Sequence, residues 1–344
     1  MSDYNYLNAR IKSLRRGLLS KARFDELLGL TDFEEFKRFF LDSPYGTAVS
    51  ESLAQHPGHL GLEMGLSRHL HKNFQNILEW SDEEPRRLLE IFLRRYDLHN
   101  IKTLLRGKNG KFPSETILES LIPVGTFGFE ELSELSKQPS LRDTLNLLSS
   151  WHKPLKRVLH RGLGTLKQEP VDLRELEAEL DRYYYEGILL SLEEEAENTD
   201  LVKRFIQMEV DMTNILTLLR LKDLSREQLL KFIIDGGFLG KGFLLLISGS
   251  LKPMEVMQKF EATYLATVVR SWNPGRGLTD LERRFEAFLL RDVQRMERVD
   301  PLSIGVAIFY FSLLSDELKK LRIILQGKLF AIDETKLREE LLLV

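Results

Sequence analysis

Histidine, glycine and glutamate are the residues of this sequence whose types and spacing could support chemistry. His56, His59, His69 and His71 lie close together and invite a metal. On a helix, His69 and His71 are two residues apart and point about 200° away from each other, so they cannot share one ion. His56-Pro-Gly-His59 reads as a turn with no close carboxylate, while His99, His152 and His160 are scattered, so no metal site is expected. Gly236-Gly-Phe-Leu-Gly-Lys-Gly242 comes nearest to a phosphate-binding loop. A P-loop needs Gly five residues before the Gly-Lys pair and Ser or Thr after it; here Asp235 takes the first place and Gly242 the last. The segment reads instead as a tight turn at a helix terminus, echoed by Gly125-Thr-Phe-Gly128.

Other chemistry is equally thin. Glu193, Glu194, Glu195 and Glu197 spread around a helix and read as a solvated face. No Gly-x-Ser-x-Gly elbow occurs, and Cys 0 removes thiolate catalysis, disulfides and Cys-ligated zinc. Arg15-Arg16, Arg86-Arg87, Arg94-Arg95 and Arg283-Arg284 sit among acids and apolar residues, as surface charge or as contacts to an acidic partner. No catalytic residue and no cofactor is expected.

The elements that carry these residues are helical. The chain has 344 residues, 43% hydrophobic and 29% charged, which is enough apolar content for a filled core. Its net charge of -3 gives no general attraction to nucleic acid. Leu, Glu, Lys and Arg dominate, strand-like alternation is missing, and Gly and Pro gather between periodic runs. Thr279-Asp-Leu-Glu282 has the form of a capping box. Met1 to Lys21 lacks the apolar stretch of an export signal. The longest uncharged run, Pro301 to Ser315, is shorter than the roughly 20 residues a membrane span needs, so a buried core helix is expected there. Together these features predict an all-α protein that meets a membrane only through a partner.

Three segments align without gaps: Asp97-Leu-His-Asn-Ile-Lys-Thr-Leu-Leu-Arg-Gly-Lys108, Asp211-Met-Thr-Asn-Ile-Leu-Thr-Leu-Leu-Arg-Leu-Lys222 and Glu317-Leu-Lys-Lys-Leu-Arg-Ile-Ile-Leu-Gln-Gly-Lys328. Each starts with an acid, ends in Lys and carries an apolar stripe, Leu98/Ile101/Leu105, Met212/Ile215/Leu219 or Leu318/Leu321/Leu325, that marks one helix face. Apolar periodicity continues upstream (Leu88, Ile91, Phe92), so the segments should be the C-terminal halves of longer helices. A second helix start follows each, at Ser114, Ser225 and Asp333, and another amphipathic run precedes each. An internal triplication of a helical hairpin is expected, with domains at 1–112, 113–224 and 225–344. Asp97, Asn100, Arg106, Asp211, Asn214, Arg220, Glu317 and Lys328 are its expected structural braces. Like units stacking alike give an open superhelix or a closed pseudo-threefold body.

Tyr6-Leu-Asn-Ala-Arg10, Leu41-Asp-Ser-Pro-Tyr-Gly46, Tyr96-Asp-Leu-His-Asn-Ile-Lys102 and Asp300-Pro-Leu-Ser-Ile-Gly305 running into Leu321–Lys328 occur in an order that resembles the C subunit of V/A-type ATPases. The eukaryotic V-ATPase d subunit belongs to the same family. The resemblance covers the chain from end to end. It implies a funnel of three similar helical domains around a central cavity, with no catalytic site and no cofactor. It further implies a place between the rotating shaft (subunits D and F) and the membrane proteolipid ring, on the cytoplasmic face of the cell membrane, one copy per complex. Torque would pass through it during proton or sodium transport. Gln326 and Lys320 depart from the Arg and Asn of the other two copies, so the third junction should be held differently. The rival readings are an all-helical repeat scaffold for soluble partners and a helical hydrolase or transferase.

Overall fold

The computed structural model describes residues 4–165, 171–192, 197–221, 223–248 and 253–342; among these every regular element is helical and no strand occurs. Glu193, Glu194, Glu195 and Lys222 lie outside the described residues. In chain order the helices are α1 Tyr4–Leu14, α2 Lys21–Gly29, α3 Phe33–Leu41, α4 Gly46–Gln55, α5 His59–Glu79, α6 Glu83–Asn109, α7 Ser114–Glu119 and α8 Phe129–Lys137. Then come α9 Leu141–Trp151, α10 Lys156–Thr165, α11 Arg174–Leu190, α12 Glu197–Arg220, α13 Arg226–Leu229, α14 Lys241–Ser248, α15 Pro253–Phe260, α16 Ala266–Ser271, α17 Gly277–Val299, α18 Gly305–Leu329 and α19 Glu334–Leu342.

The three aligned segments form the C-terminal halves of the long helices α6, α12 and α18, and α5, α11 and α17 precede them as the upstream periodicity predicts. Their apolar stripes turn inward: Ile101, Leu105, Ile215 and Leu321 have 0% exposure. Residues 305–311 of α18 are buried all round, because this stretch of about two turns carries no charge to present to water. The expected core helix is thus real, but it starts at Gly305; Pro301 to Ile304 form the turn before it. No helix among the described residues is long and apolar enough to cross a membrane. The three short helix starts are also present: Ser225 opens α13 with a full capping box to Gln228, and Asp333 accepts the Thr335 N–H ahead of α19. The box expected at Thr279–Glu282 is not used. Helix α17 begins two residues earlier, after a 3-10 turn at Pro274–Arg276, and Asp280 instead accepts the Asn273 N–H and pairs with Arg284.

The chain divides into two compact units. One comprises residues up to Gly107, Phe112–Lys137 and the chain from Gln294 onward. Its centre is aromatic, with the Phe74 and Phe311 rings 4.2 Å apart and Phe92 stacked on Phe311. Chain beginning and end meet here. Asn8 donates to the carbonyls of Pro301 and Ser303, and the Arg15 Nη1 donates to both carboxylate oxygens of Glu297 at 2.9 and 3.0 Å. Helices α6 and α18 also finish alike. The Phe112 N–H reaches the Gly107 carbonyl and the Ile332 N–H that of Gly327, each one residue after a left-handed residue, Lys111 or Ala331.

The other unit holds Lys108–Lys111 and Gln138–Val293. Helices α9, α10 and α11 pack in succession, α11 and α12 form a hairpin, and α14 lies against α12. Asn109 exchanges two hydrogen bonds with the backbone of Val171, and Arg204 forks onto the buried carboxylate of Asp292.

Candidate functional site

Buried polar side chains on the three long helices organise both units. On α6, Asp97 and Asn100 are one turn apart, 1% and 0% exposed. Asn100 makes both amide bonds with one residue, donating to the Ile122 carbonyl at 2.5 Å and accepting its N–H at 2.8 Å. Asp97 accepts the N–H groups of Thr126 and Phe127 at 2.8 and 3.3 Å. On α12 the arrangement recurs. Asn214 pairs with Ile234 at 2.9 and 2.8 Å, and Asp211 accepts from Phe238 and Leu239 at 3.0 Å each.

This geometry explains the glycine-rich turns. Successive N–H groups in a tight turn form an anion-binding concavity, and the anion it holds here is a carboxylate of the same chain rather than a phosphate. A Cβ on Gly125 would stand 2.5 Å from the Asp97 Oδ1, and one on Gly237 would stand 2.1 Å from the Asp211 Oδ1. Gly125 also has φ +101°, in the left-handed region. Gly125→Ala therefore combines backbone strain with a steric clash and is expected to cost about 1–3 kcal/mol. Urea unfolding checks this; an unchanged midpoint would show that the turn moves off the carboxylate freely.

The third long helix is held differently. Lys320, at the Asn position, pairs with Asp316 at 2.7 Å. Glu317, at the acid position, accepts the Leu19 N–H at 2.7 Å and the Tyr45 hydroxyl at 2.5 Å, so its donors come from the beginning of the chain. Tyr264 supplies the corresponding hydroxyl to Asp211 at 2.9 Å. Lys328 donates to the Leu28 carbonyl. Burial pushes the Asp97 carboxyl up to about 6, although its N–H donors pull it back, and it raises Asp211 and Glu317 as well. Of the remaining expected braces, Arg106 is exposed, and Arg220 forms a half-exposed ion pair with Glu282 at 2.9 Å that is worth about 1 kcal/mol at most.

The strongest electrostatic feature has no local signal in the sequence. Arg322 of α18 is inserted between α5 and the segment after α7, donating to Glu63 Oε2 at 3.2 Å, Ser67 Oγ at 2.8 Å and the Leu121 carbonyl at 2.9 Å. Glu63 is 2% exposed, and its Oε1 has no hydrogen-bond partner. A cavity of about 10 Å³, lined by Glu63, Ser67, Glu119 and Pro123, opens beside it, enough for one water. Burial raises the Glu63 carboxyl to about 7; Arg322 opposes that shift and Glu119 adds to it. A carboxyl raised from 4.5 to about 7 in the folded state contributes full stability below about pH 4.5. That contribution falls as pH rises through 7. Glu63→Gln, which mimics the protonated form, should remove up to about 3 kcal/mol of pH-dependent loss between pH 5 and 8. Chemical denaturation at the two pH values measures it, and parallel profiles for both proteins would refute it.

Three of the histidines are engaged within the fold. His69 is tilted against the Tyr45 ring, 4.1 Å between centroids, and burial, aided by Lys72, lowers it to about 4. His99 is lowered to about 4 by burial, with Lys319 adding to the effect. His71 Nδ1 meets the Pro123 carbonyl. Among the described residues no three His, Asp or Glu converge as a metal site would require.

What the geometry defines is an all-helical protein whose long helices are fixed by buried carboxylates and amides and by the largely covered Arg322. Which such protein is answered by its relatives. The family model described as ATP synthase (C/AC39) subunit matches residues 7–340, and the chain belongs to that family. It is 28% identical to the C subunit of the A-type ATP synthase of Methanosarcina barkeri, covering 100% of this chain and 94% of that one. Identity to the A-type C subunit of Methanocaldococcus jannaschii is 25%, over 99% and 87%. Against the C subunit of the V-type ATP synthase of Deinococcus radiodurans it is 26%, over 98% and 91%.

Proposed function

We propose that this chain is a non-catalytic central-stalk subunit of a V/A-type rotary ATPase. It joins the shaft subunits D and F to the proteolipid ring, as a single copy on the cytoplasmic face of the membrane, and passes torque between them while protons or sodium ions move. The observation that carries this reading is family membership over residues 7–340. The interior adds physical support. A coupling must resist twisting, and rigidity comes from close packing and satisfied buried polar groups. The side chains best placed for chemistry, Asp97, Asp211, Glu317 and Arg322, are all occupied in holding helices together.

The same reading takes the chain as a triplicated helical hairpin with domains 1–112, 113–224 and 225–344. In it the repeated Asp and Asn residues act as braces. The matching Asn100–Ile122 and Asn214–Ile234 pairs support this, as do the matching ends of α6 and α18.

The test is purification of an affinity-tagged chain from membranes of its native host. Recovery of shaft and ring subunits in constant proportion, with loss of ATP-driven ion transport on deletion of the gene, is the expected result. Recovery of soluble proteins alone would favour a scaffold instead. ATP hydrolysis by the purified chain by itself would overturn the non-catalytic assignment.

A further inference from the structure

Between Asp143 and Glu169 the sequence holds five Lys or Arg residues and no acid, in a chain whose net charge is -3. The structure gathers part of this excess on one face. Lys153, Lys156, Arg157 and His160 are spaced i, i+3, i+4 and i+7 from the 3-10 turn Lys153–Leu155 into α10, and all four are exposed. They line an open groove of about 560 Å³. None of the four has a carboxylate partner among the described residues. Elsewhere exposed arginines do pair: Arg86 with Glu90, Arg174 with Asp172 and Arg220 with Glu282.

We infer that this basic face of α10 docks an acidic helix face of a neighbouring protein subunit in the same complex. The inference rests on the proposed place of the chain in a rotary ATPase. Three features select a protein over other anions. Lys153, Lys156 and Arg157, continued by the His160 ring, form a row about 10 Å long rather than a cluster around one point, which suits an extended acidic surface better than a single phosphate. Leu155 and Leu159 are spent inward at 0% exposed, so among the residues from Trp151 to His160 whose burial is described only Trp151 is a large exposed apolar side chain that could anchor in acyl chains. An acidic helix with carboxylates at three- and four-residue spacing repeats the charge period of the row.

Two experiments on the assembled complex test this. The chain contains no cysteine, so Lys156→Cys can carry a single benzophenone label before the subunit is returned to a complex lacking it. The expected photoproduct joins it to a motor subunit at a peptide bearing Asp or Glu at helical spacing. Adducts confined to lipid, or to peptides without acids, would overturn the inference. In parallel, the charge reversal K153E/K156E/R157E should weaken retention in the complex about tenfold at 0.1 M NaCl, with the difference shrinking in high salt. Circular dichroism shows whether that variant keeps its fold; if it does not, the crosslink decides. A variant that folds and is retained like the wild type sinks this inference alone. A wild-type chain that never enters the complex sinks the stalk reading and this inference together. Binding to phosphatidylglycerol vesicles, with salt-insensitive retention in the complex, would replace the protein partner by a lipid surface.

Discussion

Arg322→Met lowers the free energy of unfolding by about 3–5 kcal/mol in guanidinium titrations. Methionine fills most of the arginine volume, so little of that loss comes from a cavity. It comes from what the guanidinium leaves behind: Glu63, 2% exposed, which without its counter-charge must take up a proton to stay buried, and the Ser67 hydroxyl and Leu121 carbonyl without a donor. Breaking a buried pair from one side costs far more than removing both partners, because the remaining acid must stay charged without a partner or be neutralised by taking up a proton. R322M/E63L should therefore recover a large part of the loss. Arg322→Lys keeps a charge but loses the planar fork that reaches three acceptors at once, and should fall between. A single R322M variant within about 1 kcal/mol of wild type would mean that water already screens the pair.

Local signals carry much of this architecture. Apolar residues at three- and four-residue spacing announce a helix and its buried side wherever they occur, so the long helices and inward stripes of α6, α12 and α18 are legible in the amino-acid pattern alone. So are the helix starts at Ser225 and Asp333, where one side chain caps one turn. Arg322 is not legible. It stands where Lys102 and Leu216 stand in the other two segments, and Glu63 lies 259 residues away, so neither residue advertises the other. Tyr45 is likewise 272 residues from Glu317.

The glycine-rich turns show a middle case. Turn formation follows from composition, but the anion each turn cradles does not. One clue is present: Gly125 follows Asp97 by 125 − 97 = 28 residues and Gly237 follows Asp211 by 237 − 211 = 26. An acid and a glycine turn recurring at nearly one offset point to a bond between them. The basic row of α10 is hidden for another reason. Adjacent pairs such as Arg86-Arg87 stand out in sequence, whereas a helix face distributes its charges over eight residues, Lys153 to His160.

The recurrent amides give the second large effect. Asn100→Ala strips two buried bonds from the Ile122 backbone and leaves an N–H and a C=O with no partner. At about 1–3 kcal/mol for each unsatisfied group, the expected loss is about 2–6 kcal/mol. Asn214→Ala does the same to Ile234 and should cost a similar amount, since it makes the same two bonds to one backbone unit. The comparison carries more than either value. If duplication of one unit supplied both amides, as proposed above, they should be matched in cost. They share no partner, so the double variant should lose the sum within about 0.5 kcal/mol. At Lys320, the same position in the third segment, Lys320→Ala removes only a partly exposed pair with Asp316 and should cost under about 1 kcal/mol. Equal losses at Asn100 and Asn214 with a small one at Lys320 are the signature of a triplicated framework. In that framework the third copy has given up its amide and is fastened through Glu317 to the beginning of the chain. A large loss at one asparagine and none at the other would make their shared geometry a coincidence of packing.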